Sequence, residues 1–427
     1  MTSANTLRER VLLVGCALKS SSKTAPSGYP FVTLDESLDE LASLTASARG
    51  QVVDRIAQER AVYDPATLVG SGKIEEIRKS QQHLAADVVI FDENLSPAQQ
   101  RNIERQLGCR VIDRTQLILD IFAHRARTRE GKLQVELAQL NYLLPRLAGR
   151  GVELSRLGGG IGTRGPGETK LETDQRKIHQ RIHKIKQGLE RVRAHRSLHR
   201  TFRSSIPVPT ISLVGYTNAG KSTLFNALTR SEALASSQLF ATLDPLLRRV
   251  RLPSHREVIL SDTVGFIHKL PPTLISAFRA TLEEIGEANL LLHVIDVSSP
   301  HSRQQRETVL RILEDLKVAS KPTLEVHNKI DRIGTLPRFP AHPNVVSISA
   351  TQKSGIDKLL SRIDDLLCSD PLIKARFRFS QRDGNLLSKL YASGRLIERS
   401  YVDDQVYVEV EVPQSVVNRL KEFRVEA

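Results

Sequence analysis

The residues best suited to do chemistry are Gly215-Tyr216-Thr217-Asn218-Ala219-Gly220-Lys221-Ser222, which with Thr223 fit the phosphate-loop pattern G-x-x-x-x-G-K-[ST]. A tight glycine turn that opens a helix aims backbone N–H groups and the positive end of the helix dipole at a polyphosphate. Lys221 has the reach to meet β- and γ-phosphate oxygens, and the Ser222 hydroxyl suits Mg²⁺. Such a loop needs a strand before it and a helix after it. Ile211 to Val214 reads as a buried strand, and Thr223 to Leu228 as the start of a helix.

Further short motifs follow predicted strands. Asp262-Thr263-Val264-Gly265 is a D-x-x-G, in which Asp262 can hold Mg²⁺ through water and the Gly265 N–H can sense a γ-phosphate. Asn328-Lys329-Ile330-Asp331 matches N-K-x-D. The Asp331 carboxylate can accept from both N1–H and the 2-amino group of guanine, donors that adenine does not offer in that arrangement. Asn328 and the Lys329 stem would hold the motif and the ring. Ser349-Ala350-Thr351 resembles the turn whose backbone N–H meets guanine O6. Each motif alone is weak. In this order they predict a GTP-binding domain that hydrolyses GTP to GDP.

A nucleotide switch also needs a hydroxyl that reaches Mg²⁺ only when the γ-phosphate is present. Phe240-Ala241-Thr242-Leu243-Asp244 lies between the first two motifs, and Thr242 is the candidate. Thr229, Ser236 and Ser237 lie in or nearer the preceding helix. The expected metal ligands are thus Ser222, Thr242 and Asp262, and the expected catalytic set is Asn218, Lys221, Thr242 and Gly265. Phe266 stands where many small GTPases carry a water-orienting glutamine, and its ring can neither donate nor accept a hydrogen bond. Slow intrinsic hydrolysis follows, unless a partner surface orders the site or K⁺ is held by Asn218, whose position some GTPases use for that ion.

These motifs sit in a chain of 427 residues, enough for several domains. The expected architecture is multidomain α/β. It comprises an N-terminal α/β domain (1–128), an antiparallel helical hairpin (129–200), a linker (201–210), a P-loop GTPase domain (211–371) and a small α+β C-terminal domain (372–427). In the first segment, Val11 to Gly15, Gln51 to Val53, Val88 to Phe91 and Cys109 to Ile112 read as strands, and Pro97 to Leu107 and Thr115 to Arg125 as helices. Leu133, Leu137, Leu140 and Leu144 form one apolar stripe, and Leu171, Ile178, Ile182, Ile185, Leu189 and Val192 a second. Both read as mutual packing. Between them, Gly158 to Glu168 holds too much glycine for a rigid element and carries Arg164.

Composition narrows the class. The formal net charge is +14, and Lys170 to Arg203 alone holds eleven Lys or Arg against three acidic residues. That concentration points to a polyanion, RNA above all. No apolar run is long enough for a transmembrane helix, and no secretory leader is evident. The three cysteines lie far apart without metal-ligand spacing, the pattern of a reduced cytoplasmic protein. Gly70-Ser71-Gly72-Lys73 lacks the length of a phosphate loop and reads as a strand-to-helix turn.

With these residues laid out, the chain resembles the HflX family of ribosome-associated GTPases. The resemblance rests most on the run from Gly158 to Asp174, with the order of hairpin, linker and GTPase motifs, Phe240 to Asp244, and Phe266. It implies a cytoplasmic GTPase, expected to be a monomer, that binds the large ribosomal subunit and ribosomal RNA and acts in ribosome splitting, rescue or recycling. The alternative is an RNA-remodelling or ribosome-assembly factor using GTP, with ATP as a second candidate.

Overall fold

A computed structural model describes residues 8–19, 33–147, 166–204, 208–229, 239–240, 242–269, 284–333, 344–367, 372–380, 386–387, 390–391, 394–402 and 405–425. The chain divides into two compact units. One is Met1–Val192 with Ser236–Asp244 and Ile267–Ala280; the other is Arg193–Ala235, Pro245–Phe266 and Thr281–Ala427.

In the first unit, β1 (Arg10–Leu18), β2 (Gln51–Arg60), β3 (Val88–Phe91) and β4 (Arg110–Asp113) form a parallel sheet in the order β2-β1-β3-β4. Parallel neighbours need crossovers, and helices α1 (Leu34–Ser47), α2 (Ser71–His83) and α3 (Pro97–Leu107) supply them. Their starts are locally encoded. Thr33 and Glu36 form a capping box on α1; Ser96 and Gln99 form another on α3, where Pro97 opens the helix and Gly108, at φ 69°, ends it. Leu12, Val14, Val89 and Phe91 from the sheet meet Ile74, Ile77 and Ile103 from the helices in one core. Gly70 is the N-cap of α2, and Lys73 pairs with Glu76 at 2.7 Å within that helix.

Helix α4 (Arg114–Arg125) leads to α5 (Arg129–Leu147), and a further helix spans Pro166–Ser204. The last two run antiparallel. Glu136 holds Arg181 through two contacts of 2.6 and 2.8 Å, and the Leu133 side chain approaches Gly188. Of the glycine-rich segment, 158–165 with Arg164 lies outside the described residues, and Pro166, Gly167 and Glu168 open the helix Pro166–Ser204.

In the second unit, β5 (Thr210–Gly215), β6 (Leu246–Arg251), β7 (Glu257–Asp262), β8 (Leu290–Asp296), β9 (Thr323–Asn328) and β10 (Val345–Ser347) form a sheet ordered β10-β9-β8-β5-β7-β6. Only the β6–β7 pairing in it is antiparallel. Strand β5 is central and buried, as its continuous apolar run requires. β11 (Leu372–Ser380), β12 (Arg395–Val402), β13 (Gln405–Pro413) and β14 (Arg424–Val425) make a separate antiparallel sheet. The alternation along β13 puts Val406, Val408, Val410 and Val412 into the core of that sheet with Phe377 and Leu390.

Candidate nucleotide site

The phosphate-loop residues leave the carboxyl end of β5 and enter the helix Lys221–Thr229, where an open α/β sheet presents ligand crevices. Side-chain size dictates the loop's composition at two points. A Cβ on Gly215 would stand 2.3 Å from the Val294 carbonyl of β8, and one on Gly220, at φ 96°, would stand 2.2 Å from Asn328 Nδ2. Asn218 takes the left-handed conformation, at φ 60°, that asparagine tolerates, and its side chain is exposed.

Asn328 links the nucleotide motifs. Its Nδ2 donates to the Ala219 carbonyl at 2.9 Å, and its Oδ1 accepts from the Ala350 N–H at 3.0 Å. One buried side chain thereby ties the phosphate loop, the N-K-x-D turn and the Ser349-Ala350-Thr351 turn together. Lys329, at φ 67°, donates to the Asn218 carbonyl at 2.8 Å and pairs with Asp296 at 2.5 Å. Asp296, at the carboxyl end of β8, belongs to none of the sequence motifs; its local signal is an acidic residue closing the run Leu290 to Ile295. Asp331 and Thr351 are exposed, whereas Ser349 and Ala350 are buried.

The D-x-x-G segment lies against the phosphate loop. The Thr217 N–H donates to the Phe266 carbonyl at 2.7 Å, and the Phe266 N–H to the Gly215 carbonyl at 3.1 Å. Thr263 Oγ1 donates to the Leu213 carbonyl at 2.6 Å, and Val264 is buried. Any Cβ on Gly265 would stand 2.9 Å from both Lys221 Nζ and Thr217 Cα, so only glycine fits there without displacement. Phe266 is 1% exposed. Its ring is a packing group, consistent with its inability to orient water.

Two polar side chains define the chemistry of the loop. Lys221 donates to the Gly215 and Tyr216 carbonyls at 3.1 and 2.8 Å. Burial pulls its pKa down to about 8, although the Asp262 charge opposes this. Ser222 Oγ donates to Asp262 Oδ2 at 2.7 Å, which places a hydroxyl and a carboxylate oxygen side by side. Such hard oxygen donors suit Mg²⁺.

The candidate switch segment belongs to the other compact unit. There Phe240 packs edge-on to Phe122 with ring centroids 4.6 Å apart, and Leu243 is buried. Thr242 is half-buried, and Asp244 bonds to the Arg127 and Thr128 N–H groups. Ala241, Ser236 and Ser237 lie outside the described residues. Lys269, four residues after Gly265, is held in the same unit by Asp92 at 2.6 Å and Glu93 at 2.5 Å. Asp92 also accepts from buried Arg114 at 3.0 Å and from Ser37 at 2.7 Å, and Arg114 pairs with Glu40. Burial works against the ionised Asp92, but Arg114 and Lys269 outweigh it and hold its pKa below the usual carboxylate range. No feature of local sequence pairs these residues.

Known proteins resemble this chain in sequence along most of its length. Residues 35–123 match the family described as GTP-binding GTPase N-terminal, 125–203 the GTP-binding GTPase middle region, and 210–329 the 50S ribosome-binding GTPase family. GTPase HflX of Caldanaerobacter subterraneus subsp. tengcongensis is 46% identical over 389 residues, covering 91% of this chain and 90% of that protein. GTPase HflX of Lacrimispora saccharolytica is 44% identical over 412 residues, covering 96% and 95% respectively. That of Escherichia coli K12 is 46% identical over 388 residues, covering 90% and 91%. Identity at this level, sustained along nearly the full length of each protein, places the chain in the HflX family of GTPases, as a P-loop enzyme that binds and hydrolyses GTP.

Proposed function

We propose that this GTPase binds the large ribosomal subunit and couples GTP binding and hydrolysis to ribosome splitting, rescue or recycling. The observation that carries the reading is the helix Pro166–Ser204. Its Ile182, Ile185 and Leu189 are buried, while Arg176, Lys177, Lys184, Lys186 and Arg191 are exposed. An apolar side spent on packing and a basic side left to solvent is how a helix presents itself to RNA phosphates. The 50S ribosome-binding description of the matched GTPase family supports the same partner.

In this reading the Gly215–Thr223 backbone and Lys221 hold the phosphates, and Asp331, Asn328 and the Ser349–Thr351 turn select guanine. Ser222 and Asp262, with Thr242 in the GTP state, would hold Mg²⁺. When bound, that ion would offset charge building on the β- and γ-phosphate oxygens. Thr242 and the Gly265 N–H sense the γ-phosphate, and their ordering favours the ribosome-bound conformation; loss of the phosphate releases them. Phe266 cannot orient water, so the ribosome supplies that ordering, with K⁺ held at Asn218 as the alternative source. The protein would work in the cytoplasm as a monomer.

Steady-state GTP hydrolysis with and without purified large subunits tests the proposal. Strong stimulation by subunits, and none by free RNA, is the expected result. Equal stimulation by free RNA would favour a remodelling or assembly factor instead. No stimulation of a folded, GTP-binding protein would remove the large subunit as the activating partner.

A further inference from the structure

Asp244 closes the segment that carries Thr242, and its carboxylate is fully engaged within its own compact unit. Oδ2 accepts from the N–H groups of Arg127 at 3.0 Å and Thr128 at 2.9 Å, and Oδ1 accepts from the Thr128 hydroxyl at 2.5 Å. Thr128 Oγ1 in turn accepts from the Gly131 N–H at 2.9 Å, so the whole arrangement closes the start of α5. Unpaired N–H groups and a partial positive charge make a helix start a favourable seat for a carboxylate.

The seat is also shaped for its occupant. A Cβ on Gly131 would stand 2.3 Å from Asp244 Oδ1, so the carboxylate fits only because residue 131 has no side chain. On the other side of Thr242, the Leu239 N–H donates to Ser47 Oγ at 3.0 Å, and Phe240 packs against Phe122. Thr242 therefore lies between two anchors, each within three residues of it.

We infer that Asp244 is a positioning residue for GTP hydrolysis that acts through Thr242: its docking at the start of α5 holds the segment in which the Thr242 hydroxyl must be presented. The inference rests on the reading of Thr242 as the γ-phosphate-dependent hydroxyl. A group that must reach the same place at every turnover loses less conformational freedom when its flanks are already fixed. GDP has no γ-phosphate to engage that hydroxyl, so GDP affinity does not depend on the anchor.

The test compares Asp244→Ala, Gly131→Ala and Thr242→Ala in the full chain, reading kcat and KM for GTP, affinity for GDP, and amide exchange at Arg127 and Thr128. Gly131→Ala is the informative variant. Alanine favours a helix more than glycine does, so Gly131→Ala displaces the Asp244 carboxylate without a propensity cost to α5. Asp244→Ala and Gly131→Ala are expected to lower kcat about tenfold, on the scale of ordering one residue, with KM and GDP affinity unchanged and faster exchange at Arg127 and Thr128. A kcat that stays level or rises while that exchange speeds up would overturn the inference, as would a loss of GDP affinity. If Thr242→Ala itself leaves hydrolysis intact, the assignment of Thr242 fails, separately from the anchor.

Discussion

Lys221 is an ammonium group enclosed by protein and held by two carbonyl oxygens, which do not replace the water it has lost. Burial lowers its pKa from 10.5 to about 8, so in folding terms the charge is a cost that is present below about pH 8 and fades as pH rises toward 10.5. A bound polyphosphate reverses that deficit and raises the pKa. Below about pH 8 the lysine is charged both before and after binding, and affinity does not change on its account. Above it, binding must take up a proton, so GDP affinity should fall by up to about tenfold per pH unit. Fluorescence titration of GDP between pH 7 and 9.5 reads this directly, and a level affinity across that range would refute it. The need for Lys221 was legible from the loop pattern because the pattern is local. The need for glycine at 220 also has a tertiary cause: the Asn328 side chain, far along the chain, fills the space a Cβ would take.

At the scale of elements, β8 and β9 bring ionisable groups together inside the sheet. His293 lies opposite Glu325 in the register, and Glu325 accepts from Arg306 at 2.9 and 2.5 Å and lies 3.7 Å from His327 Nε2. Burial pushes the Glu325 pKa up, but the nearby His327 and the Arg306 hydrogen bonds and charge outweigh it and hold the value at about 2. Burial pushes His293 down to about 4, against a partial pull from Glu325. Both shifts make acid destabilising. His293 stays neutral in the fold, so its contribution is lost as pH falls from 6.5 toward 4, whereas the Glu325 contribution is lost between 4.5 and 2. Urea unfolding at pH 7 and pH 5 should differ by about 2 kcal/mol more in the parent than in His293→Gln, and equal differences would contradict the assignment. β8 is a continuously buried run and β9 alternates, and only their pairing puts His293 opposite Glu325. Helix α5 teaches the same lesson. Its leucine stripe (Leu133, Leu137, Leu140, Leu144) read as one packing face, yet the residues buried most deeply include Val135, Ala138 and Tyr142. A helix packed against α4 as well as against Pro166–Ser204 has two apolar faces, and periodicity marks the one with the larger residues.

At the scale of the whole molecule, charge is the feature most open to measurement. The chain carries a net +14, and besides Arg181, which pairs with Glu136, five exposed Lys or Arg stand on the described part of the helix Pro166–Ser204. If each neutralises one phosphate, affinity for ribosomal RNA should fall roughly 500-fold between 50 and 200 mM salt. Filter binding across that range would show a steep logarithmic slope; a slope near zero would exclude this face from RNA contact. Among the described residues no helix is long and apolar enough to cross a membrane.

By itself the sequence determined the α/β class, the order of its motifs and the class of nucleotide, because each rests on contiguous residues whose chemistry is set by backbone-local spacing. It could not determine that Ser236–Asp244 and Ile267–Ala280, which lie among the GTPase motifs in sequence, belong to the compact unit built from Met1–Val192. Nor could it pair Lys269 with Asp92 and Glu93, or Asp244 with Thr128. More than a hundred residues separate each of these pairs. Carboxylates and ammonium groups abound along the chain, and which ones meet is decided only when the sheets and helices close around them.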